Sequence, residues 1–166
     1  MDTDRSGIKA IAEKAKQFCT FWLSGRLLGV DILHVKEVNP EAEFTTIPHA
    51  PDEVIGFVNI RGQIHLILDL KRVLGLPSIA TGEKSRLVLF KPSVGEAFGV
   101  QVDQIGDVVE VPESTLEAGA VIQDELRPED NVDISDLISG VCRLESTLLL
   151  VVNARNLLAA VDHAPK

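Results

Sequence analysis

The sequence predicts an all-β protein, two small β-barrels side by side, and three observations lead there. From Phe18 onward the chain runs in segments of four to eight residues rich in Val, Ile, Leu and Phe, bounded by Gly, Pro, Asn and Asp. That composition suits a pleated, half-buried surface. The segments recur as one unit written twice, and each unit holds about five short strands with few residues left for crossover helices. Short antiparallel strands expose edges, and closing the sheet removes them.

In chain order, Ile8, Ile11, Ala12 and Ala15 recur at helical spacing among Lys and Glu, predicting a short helix or tail over residues 1–17. Ten strand-like runs follow: FCTFWL, LLGVDIL, VKEV, EVIGFVNI, QIHLILDL, RLVLF, AFGVQV, DVVEV, SGVCRL and TLLLVV. LDLKRVL (68–74) and VNARNLL (152–158) each read as a strand end followed by a short helix, with Asp69 and Asn153 as N-caps. Residues 159–166 read as a tail.

The repeat is visible residue by residue. A shift of 70 lays Leu28-Gly29-Val30-x-Ile32-x-x-Val35-x-Glu37-Val38 on Phe98-Gly99-Val100-x-Val102-x-x-Ile105-x-Asp107-Val108. A shift of 84 lays Gly56-Phe57-Val58-x-Ile60 on Gly140-Val141-Cys142-x-Leu144, and Asp69-x-Lys71 on Asn153-x-Arg155. The shifts differ by 14 residues, so the second unit carries an insertion between Val109 and Ser139, expected as a surface excursion.

Charge narrows the function. The net charge is −9, and residues 101–145 hold 12 acids against two bases, Arg127 and Arg143, while residues 1–100 hold 12 of each. A nucleic-acid binder needs a basic stripe to displace phosphate counterions, so nucleic acid is not an expected partner. No apolar run approaches the roughly 18 residues that cross a bilayer, and the N-terminal stretch lacks a secretion signal's apolar core. A cytoplasmic address is expected, without membrane insertion. Cys19 and Cys142 lie far apart in apolar stretches and read as buried, reduced side chains.

Catalytic signatures are missing. His34, His49, His65 and His163 show no ligand spacing, and Asn131-Val-Asp133-Ile-Ser135 begins like a calcium loop but has Asp136 and Cys142 where glycine and glutamate are required. There is no G-x-S-x-G, Walker or G-x-G-x-x-G run. Asp69, at a strand's C-terminal end, is compatible with a phosphoacceptor as well as with a cap. Without an acid–base constellation the expectation is no enzyme, no cofactor and no metal. What remains is surface. Alternation places Ile64, Leu66 and Leu68 on one face of QIHLILDL and Gln63, His65, Ile67 and Asp69 on the other, while Val35 and Glu37 face away from Lys36 and Val38.

Asn59-Ile60-Arg61-Gly62, followed by Ile64-x-Leu66-Ile67-Leu68-Asp69-Leu70 and preceded by Ile32-x-x-Val35-x-Glu37-Val38 and Pro48-x-x-Pro51-x-x-Val54-x-Gly56, resembles the CheW family of chemotaxis coupling proteins. The likeness runs from about Phe18 to Leu158. It implies one domain over 18–158 made of two SH3-like five-stranded β-barrels in tandem with short flanking helices. The subdomains fall at about 18–38 plus 39–80, and 85–158, with strand exchange between them allowed. It also implies a non-enzymatic adaptor that joins cytoplasmic tips of methyl-accepting chemoreceptors to the regulatory domain of a histidine autokinase, recruited to membrane receptor arrays. The family's partner-binding positions fall here on Val35, Glu37 and Arg61, with Gly56, Asn59 and Gly62 shaping the region and Ile32 and Cys19 on the kinase-facing side. Asn153 departs from the aspartate frequent in the family. Gly62 is expected to permit a tight turn from which Arg61 projects toward carboxylates, either on a receptor helix or within the chain at Glu37 or Asp69. An adaptor for a pilus or other non-flagellar pathway, an aspartate phosphoacceptor and a double-barrel nucleic-acid binder are the alternatives.

Overall fold

Among the described residues ten strands form two five-stranded sheets, and neither sheet follows the boundary between the two sequence units. The computed structural model describes residues 14–40, 43–77, 82–117 and 134–162. The elements are β1 (Ala15–Leu23), β2 (Arg26–Asp31), a 3-10 turn (Ile32–His34), β3 (Val35–Pro40), β4 (Val54–Ile60), β5 (Gln63–Asp69) and α1 (Leu70–Leu74). The same series then repeats as β6 (Arg86–Phe90), β7 (Phe98–Val102), β8 (Gln104–Pro112), β9 (Ile138–Arg143), β10 (Leu148–Val152), a 3-10 turn (Ala154–Asn156) and α2 (Leu157–Asp162).

One sheet runs β3-β6-β7-β5-β4 and the other β8-β1-β2-β10-β9. With β1–β5 matched to β6–β10 by the repeat, the two orders are identical except that the leading hairpins have changed places. Each sheet therefore combines the first hairpin of one unit with the last three strands of the other. The exchange makes two parallel seams, β5 on β7 and β10 on β2, in otherwise antiparallel sheets. Two short crossings carry the chain between sheets, the 3-10 turn Ile32–His34 and the single residue Asp103.

Each sheet is also drawn toward closure by an isolated bridge. Thr45, beyond edge strand β3, pairs with Phe57 of the opposite edge strand β4, and Glu117, beyond β8, pairs with Val141 of β9. The glycines recognised in the repeat explain why the approach is possible. A Cβ on Gly56 would lie 2.5 Å from the Thr45 carbonyl oxygen, and one on Gly140 would lie 3.1 Å from that of Glu117. Gly99 is constrained in the same way, since a Cβ there would meet the Val88 carbonyl oxygen at 2.5 Å.

The largest apolar cluster joins the sheets, with Phe21, Leu28, Val88, Phe90, Phe98 and Leu150 among its members, and α1 and α2 contribute Leu70, Leu74 and Leu157. Each sheet keeps a smaller cluster of its own, Val58, Ile67, Leu87 and Leu89 in one and Phe18, Leu27, Val111, Cys142, Leu149 and Val151 in the other. Burying each Leu or Phe removes apolar area worth about 1.5–3 kcal/mol. Strand β5 is consequently buried on both faces. His65 and Ile67 are enclosed on one side and Leu68 on the other, but Ile64, expected with Leu66 and Leu68, is half exposed because it sits beside the hairpin turn.

The expected N-terminal helix lies mostly outside the described residues. Its last residues do not continue it: Ala15, Lys16 and Gln17 pair with Pro112, Val111 and Glu110 of β8, cross-strand bonding that outweighs local helix preference. Most of the acidic insertion, 118–133, also lies outside the described residues. Both expected N-caps are present: Asp69 Oδ1 accepts from Arg72 N at 3.4 Å and Asn153 Oδ1 from Arg155 N at 3.2 Å.

Candidate functional site

The β4–β5 hairpin turns through two residues, Arg61 and Gly62, with Ile60 opposite Gln63. Both central residues have left-handed backbone, φ +51° at Arg61 and +85° at Gly62. Two consecutive positive φ values suit the right-handed twist of the flanking strands. Glycine adopts this without cost, whereas arginine gives up about 1 kcal/mol. Asn59 compensates, its Oδ1 accepting the Gly62 N–H at 2.8 Å. The Asn-x-Arg-Gly spacing thus has a local physical cause: Asn59 ties the turn that Arg61 and Gly62 make.

Held this way, Arg61 reaches across the gap between the edges of its sheet. Its Nη2 pairs with Glu37 Oε1 on β3, and beside it Lys36 Nζ donates to Gln63 Oε1 at 3.4 Å. Side-chain bonds therefore continue the closure that the Thr45–Phe57 bridge begins. Arg61 retains 65% side-chain exposure against 23% for Glu37. The guanidinium carries five donors in a planar fork, so its exposed face can take a second carboxylate while one is occupied. Intramolecular pairing and outward presentation coexist at this residue.

The remaining expected positions separate into supports and surface. Val35 packs half-buried against the main cluster, opposite Phe90. Gly56 serves the edge closure. Cys19 is buried in the main core, where desolvation pushes its thiol pKa up, so it shapes its side of the molecule from within. Ile32 is half-buried in the crossing turn and its neighbour Leu33 is 69% exposed. Asp69 is engaged as the α1 cap. The sequence did not single out Lys36 and Gln63, which flank the Arg61–Glu37 pair, nor the exposed apolar Val38, Phe57 and Ile64 on the same sheet. A signal existed for the first two: they neighbour motif residues on strands whose edges must meet. No group of three or more metal-ligating side chains occurs among the described residues, and no helix among them is long and apolar enough to cross a membrane.

The fold and this turn define a double-sheet module that presents an exposed guanidinium, paired with Glu37, at the edge of one sheet. The family model for a CheW-like domain matches residues 17–162, and the chain belongs to that family. The chain is 23% identical over 143 residues to the chemotaxis protein CheW of Bacillus subtilis, covering 86% of each chain. It is 25% identical over 156 residues to CheW of Treponema pallidum, covering 92% of this chain and 88% of that one. The crystal structure of scaffolding protein TtCheW from Thermoanaerobacter tengcongensis superposes with a TM-score of 0.75 at 23% identity, covering 87% of this chain and 88% of that one. The fold is accordingly that of the family, two SH3-like β-barrels.

Proposed function

We propose that the chain is a chemotaxis adaptor that docks simultaneously to chemoreceptor cytoplasmic tips and to the regulatory domain of a histidine autokinase, and makes or breaks no covalent bond. The observation that carries this reading is the Arg61–Gly62 turn, in which a left-handed backbone holds an exposed guanidinium against Glu37 at the edge of a sheet that the Thr45–Phe57 bridge draws toward closure. Left-handed backbone at a non-glycine residue persists where the surroundings over-determine it and marks contact sites. CheW-like family membership and the scaffolding protein neighbour support the class of function.

Receptor state would reach the kinase through differential contacts on the shared adaptor, which shift the kinase's conformational equilibrium. Single contacts of this sort are expected in the micromolar range, with multivalency in a membrane-associated array supplying the remaining strength. The proposed receptor and kinase surface comprises Arg61, Glu37, Val35, Asn59 and the turn glycines, with Ile32 and the buried Cys19 on the kinase-facing side. Sedimentation of receptor cytoplasmic fragments with kinase, with and without the purified chain, tests it. The expected result is kinase recruitment that depends on the chain, and recruitment independent of it would contradict the proposal.

A further inference from the structure

The two junctions between the sheets are related by the repeat but filled differently. Lys71 and Asp103 make one junction, Nζ to Oδ1 at 2.9 Å, with Asp103 Oδ2 also accepting from Ser24 N at 2.8 Å. At the other, the repeat places Arg155 where Lys71 stands and Leu33 where Asp103 stands. Leu33 is 69% exposed and brings no charge, and Arg155 Nη1 donates to the Ser93 carbonyl oxygen at 3.0 Å. This junction has a cation at the position of Lys71 but no carboxylate at the position of Asp103.

A pocket of about 360 Å³ opens beside Arg155, at the ends of β1, β2, β9 and β10. Its volume lies within the range of small-molecule sites. Lys16, His34 and Arg155 give it three basic side chains, in a chain of net charge −9. Asp31 is the single acid of the lining among the described residues, and it is already engaged by Leu33 N at 2.9 Å and Lys16 Nζ at 3.6 Å. His34 Nδ1 is buried and has no hydrogen-bond partner among the described residues. A buried polar atom left unmatched is uncommon and calls for a partner. Leu116, half-buried against the sheet's own core cluster, adds apolar wall, with Phe18 and Val151 buried behind it.

We propose that this pocket binds a small organic carboxylate, with Arg155 and Lys16 meeting the charge, the His34 ring nitrogen adding a polar contact, and Leu116 packing against the apolar body. An inorganic anion would leave Leu116 uncovered, and a neutral molecule would leave the excess positive charge of the lining unbalanced. The occupant would touch Asp31 and His34, which bracket the crossing into β3, so its binding would be felt by the strand that carries Val35 and Glu37. The site stands independently of the adaptor reading.

The test is a titration of the full ¹⁵N-labelled chain, followed by amide chemical shifts, with benzoate, its neutral isostere benzamide, and inorganic phosphate. Benzoate is expected to give saturable shifts centred on His34, Asn153 and Arg155 with a Kd on the order of 1 mM. Benzamide and phosphate should bind about tenfold more weakly or worse. Arg155→Gln should weaken benzoate by about tenfold, and Lys16→Gln, at an exposed strand end, provides the second variant should the first not fold. Equal affinity for benzamide would reduce the pocket to an apolar cavity, and equal affinity for phosphate would reduce it to a general anion site. Either result, or shifts that never saturate, or affinities unchanged in the variants, would overturn the proposal.

Discussion

The two sheets have the same strand order and the same exchanged hairpins, yet their edges are held differently. In the first, Glu37 and Arg61 pair across the gap. In the second, the repeat puts Asp107 and Glu145 at those positions, two carboxylates that cannot pair, and the turn at 145–146 lacks the left-handed backbone seen at 61–62. Its substitute is a long, exposed contact, Arg143 Nε to Glu117 Oε2 at 3.9 Å. The junctions differ in the same manner, one filled by the Lys71–Asp103 pair and the other open beside Arg155. The two units share what packing demands, the glycine pairs Gly29/Gly99 and Gly56/Gly140 and the core positions, and differ in their polar fittings. The differences between otherwise equivalent places therefore point to function.

The largest effect should come from the filled junction. Lys71→Ala removes a nearly fully buried partner and leaves Asp103 without its cation, and urea unfolding should show a loss of about 3 kcal/mol. Arg155→Ala, at the exposed counterpart, should cost less than about 0.5 kcal/mol. Equal losses would erase the distinction between the junctions.

Edge closure comes next. Gly56→Ala forces a methyl against the Thr45 carbonyl and should destabilise by about 2 kcal/mol, while Gly140→Ala, with more space before Glu117, should cost about 1 kcal/mol. Thermal unfolding of the two variants checks the order. The latch itself is worth less, because exposed ion pairs contribute about 0–1 kcal/mol. Arg61→Ala should therefore leave stability within about 1 kcal/mol of the parent. Glu145→Arg, which relieves the acidic pair, should stabilise by about 0.5 kcal/mol in low salt, with the gain fading as salt is added.

The smallest effect concerns Cys19. Burial raises its thiol pKa, so the thiolate fraction at neutral pH falls below that of a free cysteine, and alkylation of the native protein should be slow. Labelling as fast as in urea would contradict its placement in the core.

Much of this is legible in the sequence. Short apolar runs bounded by turn residues locate all ten strands, several of which, β2, β6 and β10 among them, are buried along nearly their whole length, and the Asp69 and Asn153 caps follow from local hydrogen bonding alone. The N-x-R-G turn was readable because its geometry is set within four residues. The hairpin exchange was not, since a chain shift reveals which strands are equivalent but not which sheet each one joins. Ala15–Gln17 were misread for the same reason: their strand character comes from β8, roughly a hundred residues away in sequence. The Lys71–Asp103–Ser24 contact was likewise hidden, because three separate segments meet only once both sheets are assembled.

The most direct test compares the two equivalent turns in binding. Arg61→Ala and Glu145→Ala, each confirmed folded by circular dichroism, would be titrated against a receptor cytoplasmic fragment and against the kinase regulatory domain. Loss of about tenfold or more in affinity for at least one partner with Arg61→Ala, and none with Glu145→Ala, is the predicted outcome. Undiminished binding to both partners by Arg61→Ala would contradict the assignment of the first sheet's turn as the docking site.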